Sequence, residues 1–177
     1  MYLYDTEPDS LLHRLGTKDD IIYKKLYKYS KLIKKFYKKL PKNTLMLISA
    51  DHGHKDSLSI NLYEDIYLLT MLKRRPTNDE RCLCFSVKEE YKEKFENYFN
   101  IMYGSIYKLY KTQEAIDKGF FGKGIKNKYI DTFLADYVAL AYSNYNLKVR
   151  PSDFIMKSSH AGITKEEMIV PLIVLKK

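Results

Sequence analysis

Apolar residues recur at two different periods along this chain, and the alternation predicts an α/β fold. Between Ile22 and Leu40 they return at spacings of three and four, with lysines at most other positions, which is the pattern of an amphipathic helix. Pro41 ends that helix. The next apolar run, residues 44–48, is short and continuous, as in a strand that is buried on both faces. A helix that leads into a buried strand is typical of a sheet covered by helices.

Shorter elements are predicted elsewhere. A helix begins near Pro8 and ends at Gly16, and the [ST]xx[DE] sequence that starts at Thr17 predicts a capping box for the long helix. The glycine-rich residues 119–124 lack the ending of a phosphate-binding loop, so we interpret them as a turn. The remaining predicted elements are helices at 89–100 and 112–118 and strands at 2–4, 81–87, 106–110, 137–142 and 169–175.

Four residues with polar or permissive chemistry stand where the buried strand should end: Asp51, His52, Gly53 and His54. In α/β sheets, ligands and chemistry collect beyond the carboxyl ends of strands. Carboxylates and imidazoles suit Zn²⁺ or Mn²⁺, and a glycine lets the backbone turn tightly beside them. This stretch is either a metal site or an ordinary polar turn, and alone it does not decide between them.

The other two histidines also lie in polar segments. Asp9 and His13 are four residues apart, so they share one face of the short helix predicted there. Such a pair can bind a metal, although Asp9 alone would equally serve as a favourable charge at a helix N-terminus. His160 lies in a predicted loop. None of the four histidines lies on an apolar helical face, where an ordinary core histidine would be expected.

Composition excludes few classes of function. The net charge of +9, from 31 Lys+Arg against 22 Asp+Glu, permits an anionic partner without specifying one. A nucleic-acid-binding module is one alternative, and its binding would fall steeply with salt. No apolar run approaches a membrane span. Cys82 and Cys84, two apart on a predicted strand, indicate buried thiols in a reducing compartment, with the cytoplasm favoured, and not a disulfide.

Three motifs, in a fixed order, carry a resemblance to a known family. They are PDSLLHRLG at residues 8–16, ADHGH at residues 50–54 and SHAGITKEEMIVPLIV at residues 159–174. Together they resemble the C-terminal half of the alkaline phosphatase superfamily, in particular its type I phosphodiesterase/nucleotide pyrophosphatase branch. The resemblance implies part of an alkaline-phosphatase-like three-layer sandwich, with a mostly parallel sheet and flanking helices, as a single domain over residues 1–177.

The resemblance also implies a hydrolase of phosphoric esters with two divalent ions, usually zinc, with manganese as an alternative. Asp9, His13 and His160 match the ligands of one ion, and Asp51 and His52 match ligands of the other. No ligand role carries over to His54. Two ions about 4 Å apart clamp the attacking and leaving oxygens of phosphoryl transfer. The expected partner is a small phosphate ester, and neither a membrane nor a nucleic acid. Phosphomonoesterases, phosphoglycerol transferases, sulfatases and cofactor-independent phosphoglycerate mutases have related sites, so the reaction stays open.

The chain departs from the family pattern in one large respect. The family's Thr or Ser nucleophile and one more Asp ligand belong to an N-terminal half that this sequence does not match, and Thr6 lacks the nucleophile's context. We therefore expect a portion of a larger enzyme that carries most of the metal ligands, has no catalytic nucleophile and is inactive or nearly so in isolation. The alternative is a free-standing, non-catalytic protein that binds metal or a partner. An unpaired sheet edge would favour self-association.

Overall fold

The computed structural model describes residues 1–122, 124–125 and 127–177. Within them, the helices are α1 (Glu7–Leu15), α2 (Asp20–Lys39), α3 (Ile66–Thr70), α4 (Lys92–Tyr103), α5 (Thr112–Asp117), α6 (Ile130–Leu134) and α7 (Lys165–Met168). The strands are β1 (Leu45–Ser49), β2 (Lys55–Asp56), β3 (Leu58–Asn61), β4 (Thr77–Asp79), β5 (Cys82–Phe85), β6 (Tyr107–Lys111), β7 (Tyr137–Ala141), β8 (Tyr145–Lys148), β9 (Ser158–Ser159) and β10 (Leu172–Lys176). Contacts divide the chain into two compact units.

The first unit comprises residues 1–57, 155–160 and 165–177, and it contains α1, α2, α7 and four strands. Strand β1 pairs antiparallel with β10, so that Leu47 lies opposite Val174. Strand β2 pairs antiparallel with β9, so that Lys55 lies opposite Ser159. Both pairings join segments from opposite ends of the sequence, and β9 brings the residues before His160 beside those after His54.

The helix ends of the first unit follow local chemistry. Pro8 lies in the first turn of α1, and Gly16 ends that helix with φ 85°, a left-handed conformation that glycine adopts without strain. The capping residue of α2 is Asp19, whose side chain accepts a hydrogen bond from the backbone N–H of Ile21. The predicted capping box at Thr17 is therefore wrong, because the Asp19 carboxylate next to the helix satisfies the N–H group of Ile21. Residues 2–4, predicted as a strand, have no regular structure.

Strand β1 is less buried than its sequence suggests. Leu45 and Leu47 are 60% and 61% exposed, so the prediction of a strand buried on both faces is wrong. The physical reason is the size of the sheet. In the part of the chain that the structure describes, β1 and β10 form a two-stranded sheet, and one of its faces is left largely uncovered.

The second unit comprises residues 58–154 and 161–164. Its larger sheet has the antiparallel order β4-β5-β7-β6, and a parallel pair joins β3 to β8. Phe85, Phe95 and Phe99 are fully buried at the centre of its core. The α/β class and the strands predicted at 81–87, 106–110 and 137–142 are confirmed. The sheets are small and mixed instead of mostly parallel, because two-residue connections such as that between β4 and β5 can join only antiparallel strands.

Two predictions about smaller features can be compared with the second unit. Cys82 and Cys84 are buried free thiols, as predicted, and burial raises their pKa values to about 11 and about 12. Residues 119–121 form a turn, but Lys123 in the same glycine-rich stretch lies outside the described residues. Within the residues that are described, no helix combines the length and the apolar character needed to cross a bilayer.

Candidate metal centre

Three segments of the first unit bring carboxylates and imidazoles together. Helix α1 presents Asp9 and His13 one turn apart, with 3.3 Å between Asp9 Oδ1 and His13 Nε2. The segment between β1 and β2 contributes Asp51, His52 and His54. The third segment follows β9 and contributes His160.

Gly53 fixes the backbone between two of these histidines. Its N–H group donates a hydrogen bond of 2.8 Å to the carbonyl of Glu167 in α7. A Cβ atom at this position would lie 1.9 Å from the carbonyl oxygen of Glu166. Because that neighbour is backbone, no side chain larger than hydrogen fits without displacing α7, and the glycine holds His52 and His54 against this helix.

The carboxylate of Asp9 is the focus of the cluster. Its Oδ1 atom lies 2.9 Å from His54 Nε2, 3.3 Å from His13 Nε2 and 3.6 Å from His160 Nε2. The rings of His13, His54 and His160 are separated by centroid distances of 4.9, 5.2 and 5.2 Å. Three imidazole nitrogens therefore converge on one carboxylate oxygen.

Hydrogen bonds fix the tautomers of two of the histidines. His13 Nδ1 lies 2.8 Å from the carbonyl of Ser158, and His52 Nδ1 lies 3.1 Å from the carbonyl of Gly53. A carbonyl only accepts, so in the neutral form of each ring Nδ1 carries the proton and Nε2 presents a lone pair. Metal-binding histidines characteristically donate their second N–H to an oxygen acceptor in this way. The donor set therefore fits a bound divalent ion.

Asp51 and His52 lie beside this group. Asp51 Oδ2 is 3.8 Å from His52 Nε2, and it accepts a hydrogen bond of 2.7 Å from the hydroxyl of Tyr4, which lowers the pKa of Asp51. The His52 ring stacks on His160 with 3.8 Å between centroids. Ligand atoms of Asp9, His52, His54 and His160 all lie within 4.8 Å of one another, a group that neither Asp51 nor His13 joins.

Sequence reasoning assigned no role to His54, yet its side chain is only 4% exposed and contacts Asp9. Burial lowers the pKa of His54 to about 4, although Asp9 opposes that shift, so the ring is neutral at pH 7. The signal available in the sequence was its position two residues after His52. That spacing gives no information about Asp9, which lies 45 residues earlier in the chain.

Comparisons with known proteins found solved structures of similar fold. Murine ectonucleotide pyrophosphatase/phosphodiesterase 5, solved as an inactive variant with AMP, matches with a TM-score of 0.66 and 18% identity over 96% of this chain and 45% of its own. The human protein of the same name matches with a TM-score of 0.68 and 16% identity over 96% of this chain and 45% of its own. Phosphonoacetate hydrolase from Sinorhizobium meliloti, solved with phosphonoformate, matches with a TM-score of 0.63 and 16% identity over 95% of this chain and 44% of its own.

These likenesses show a shared fold alone, and they are partial. The chain spans about 45% of the length of the ectonucleotide pyrophosphatase structures it matches. No curated protein sequence matches the chain significantly. The model of the type I phosphodiesterase/nucleotide pyrophosphatase family matches residues 1–152, which include Asp9, His13, Asp51 and His52. The chain therefore belongs to the type I phosphodiesterase/nucleotide pyrophosphatase family.

Proposed function

We propose that this chain is the metal-binding portion of a metal-dependent phosphoric ester hydrolase, with zinc as the preferred ion. The observation that carries the proposal is the convergence of three histidine Nε2 atoms on one oxygen of Asp9. The hydrogen bond from His13 Nδ1 to the Ser158 carbonyl supports it, because this bond aims the lone pair of the ring at the carboxylate. Imidazole and carboxylate groups in this number suit zinc better than magnesium or calcium.

The chain's own residues would divide into two sets. Asp9, His13 and His160 would hold one ion, and Asp51 and His52 would contribute to the second. The hydroxyl of Tyr4 keeps the Asp51 carboxylate ionised by donating to it, which favours cation binding there. When bound, such ions polarise a phosphoryl oxygen and lower the pKa of an attacking hydroxyl.

The serine hydroxyl that contacts His54 is not available as a nucleophile. Ser158 is fully buried, and its Oγ donates a hydrogen bond of 2.7 Å to the carbonyl of Leu12. We therefore propose that the isolated 177 residues bind zinc but hydrolyse phosphate esters little or not at all. Full activity would need a nucleophile that these described residues do not bring to the ions.

The substrate class follows from chemistry shared by the relatives. One matched structure contains AMP, and another contains phosphonoformate. Both ligands present a tetrahedral phosphorus centre with anionic oxygens, which is the group that a cationic centre polarises. We propose a small phosphate ester, with a phosphodiester or pyrophosphate bond of a nucleotide as the first class to test.

The direct test is the zinc content of the chain after it is stripped with a chelator, reloaded and desalted. We expect bound zinc in the wild-type chain, a decrease in His160→Ala, and no measurable hydrolysis of an aryl phosphodiester by either. Robust zinc-dependent hydrolysis by the pure chain would overturn the proposed inactivity. Absence of zinc in a folded wild-type chain would overturn the metal site itself.

A second candidate function is a free-standing, non-catalytic metal-binding protein. The hydrogen bond from the Ser158 hydroxyl to the carbonyl of Leu12 favours this second candidate, because a purely structural metal site needs no free hydroxyl. The two candidates differ in the size of the native protein. Intact mass measurement on the protein from its natural source decides between them, since a product much heavier than 21.0 kDa would remove the second candidate.

A further inference from the structure

The ring of His54 is held between two oxygen atoms that have different hydrogen-bonding capacities. Its Nδ1 lies 3.1 Å from Ser158 Oγ, and its Nε2 lies 2.9 Å from Asp9 Oδ1. The only proton of the serine hydroxyl is directed to the carbonyl of Leu12. Ser158 Oγ must therefore accept from His54, so Nδ1 carries the ring proton and Nε2 presents a lone pair to the carboxylate.

Two acceptors that face each other at 2.9 Å repel unless something positive lies between them. His13 is in the same position, because its Nδ1 donates to a carbonyl and its Nε2 faces the same Asp9 oxygen at 3.3 Å. A single extra proton would relieve one of these facing pairs and leave the other. One divalent cation relieves both at once, and it also accommodates His160 Nε2 at 3.6 Å from Asp9.

The three distances from Asp9 to the imidazole nitrogens fit the edges of a tetrahedral shell. With zinc–ligand bonds of about 2.0–2.1 Å, neighbouring ligand atoms of a tetrahedron lie about 3.3 Å apart. The three distances from Asp9 Oδ1 to imidazole nitrogens, 2.9, 3.3 and 3.6 Å, bracket this value. The nearly equal centroid separations of the three rings fit the same arrangement.

His52 is the competing fourth ligand, because it too lies within 4.8 Å of Asp9, His54 and His160. Its ring, however, is stacked on His160 with an interplanar angle of 22°. A metal ion lies in the plane of each imidazole that binds it, and two stacked, nearly parallel ring planes do not meet at a nearby point. The rings of His54 and His160, by contrast, are inclined at 71°, so His54 is the better choice.

We propose that His54 is a fourth protein ligand of the ion held by Asp9, His13 and His160, and that Ser158 positions it. The inference rests on the proposed function only in requiring that an ion binds there. Four protein ligands complete a tetrahedral shell, which is the arrangement of structural zinc sites, while catalytic sites keep one position open. In this chain the ion would join α1, the segment after β1 and the residues around β9.

The test combines zinc affinity with a count of imidazole ligands. The full chain is loaded with zinc below one equivalent, so that only the tightest site fills, and its zinc K-edge X-ray absorption spectrum is recorded. Affinity is measured by competition with a chromophoric chelator. We expect three imidazoles in the wild-type chain and two in His54→Gln, with an affinity loss of at least 10-fold.

Ser158→Ala leaves all four ligands in place and removes the hydroxyl that orients His54. We expect it to lower zinc affinity by about 10–100-fold, the usual effect of removing a residue that orients a metal ligand. Ser159→Ala is the matched control, since Ser159 is a buried serine on the same strand, and its affinity should equal that of the wild type. If His54→Gln fails to fold, this serine pair still decides the question, because Ser158 contacts His54 and the imidazole count alone does not distinguish His54 from His52.

Two imidazoles in the wild-type spectrum, or unchanged affinity in folded His54→Gln, would overturn the inference while leaving the Asp9, His13 and His160 site intact. A folded wild-type chain that binds no zinc would overturn both the inference and the proposed function. Three imidazole ligands in the wild-type spectrum, together with no measurable hydrolysis of a phosphate ester, would support an ion whose four coordination positions are all filled by protein ligands.

Discussion

The Oδ1 atom of Asp9 lies near three histidine nitrogens of the candidate centre. Some of these contacts are local in sequence and could be predicted, and others are not. The spacing of Asp9 and His13 is a local property of one helix, so it predicts a shared face that the structure contains. The contact of His54 with Asp9 depends instead on chain folding across 45 residues. No periodicity encodes such a contact, and the family resemblance carries no role for this position. The assignment of ligands to particular ions therefore stays a prediction.

Gly53 gives the first prediction at the scale of a residue. In Gly53→Ala the new Cβ would meet the Glu166 carbonyl oxygen at 1.9 Å, so α7 and the segment bearing His52 and His54 must separate. We expect a loss of about 1–3 kcal/mol in the free energy of unfolding, as for other overpacked sites, together with weaker zinc binding. Urea denaturation and chelator competition measure the two effects.

The control for this substitution is Gly124→Ala. Among the described residues other than its chain neighbours, no heavy atom lies within 4 Å of the position that its Cβ would occupy, so both stability and zinc affinity should match the wild type. Equal behaviour of the two alanine variants would show that α7 does not restrain the histidines through Gly53.

At the scale of elements, helix patterns proved more reliable than burial patterns. The long helix predicted between Ile22 and Leu40 corresponds to α2, because an amphipathic stripe and a terminating proline are local signals. The burial of β1 was wrongly predicted because it depends on which other strands and helices cover it. Strands β4 and β8 were not predicted at all, since sequences such as Thr77–Asp79 have few apolar residues and are recruited by pairing with a neighbour.

The start of α2 gives a prediction at this scale. Asp19→Ala removes the carboxylate that accepts from the Ile21 N–H, and we expect a loss of about 1 kcal/mol in the stability of the first unit. Thr17→Ala is the control, because the sequence suggested Thr17 as the cap but the structure gives that role to Asp19. Amide hydrogen exchange in the first turn of α2 should quicken in Asp19→Ala and stay near wild type in Thr17→Ala. The reverse order would restore the capping box predicted from the sequence.

For the whole molecule, each compact unit has its own kind of stabilisation. The second unit has a core of packed aromatic rings, with Phe85, Phe95 and Phe99 in mutual contact. Among the described residues of the first unit, Ile22 is the only buried apolar side chain. Polar contacts join the segments of this unit. A bound ion in the cluster would therefore contribute a larger share of the stability of the first unit than burial of apolar surface alone suggests.

The first unit also exposes an apolar sheet face. Leu45 and Leu47 of β1 and Leu172 and Val174 of β10 share that face, and they are 60%, 61%, 68% and 54% exposed. Among the described strands, β1 and β10 pair only with each other, so each has an edge of unpaired backbone groups. Exposed edges beside apolar side chains are sites of pairing with further strands. A second copy of the chain is the partner always present in a pure sample.

We therefore expect the purified chain to self-associate as its concentration rises. Leu47→Lys places a charge at the centre of the exposed face, opposite Val174, and should shift the equilibrium to the monomer. Ile101→Lys is the matched control, because Ile101 is 81% exposed on α4 of the second unit, so the same charge is added to a different apolar position. Sedimentation velocity over a concentration series measures the effect. A wild-type chain that stays monomeric throughout would show that this face does not drive self-association, and equal responses of the two lysine variants would assign any association to net charge instead of to the β1–β10 sheet.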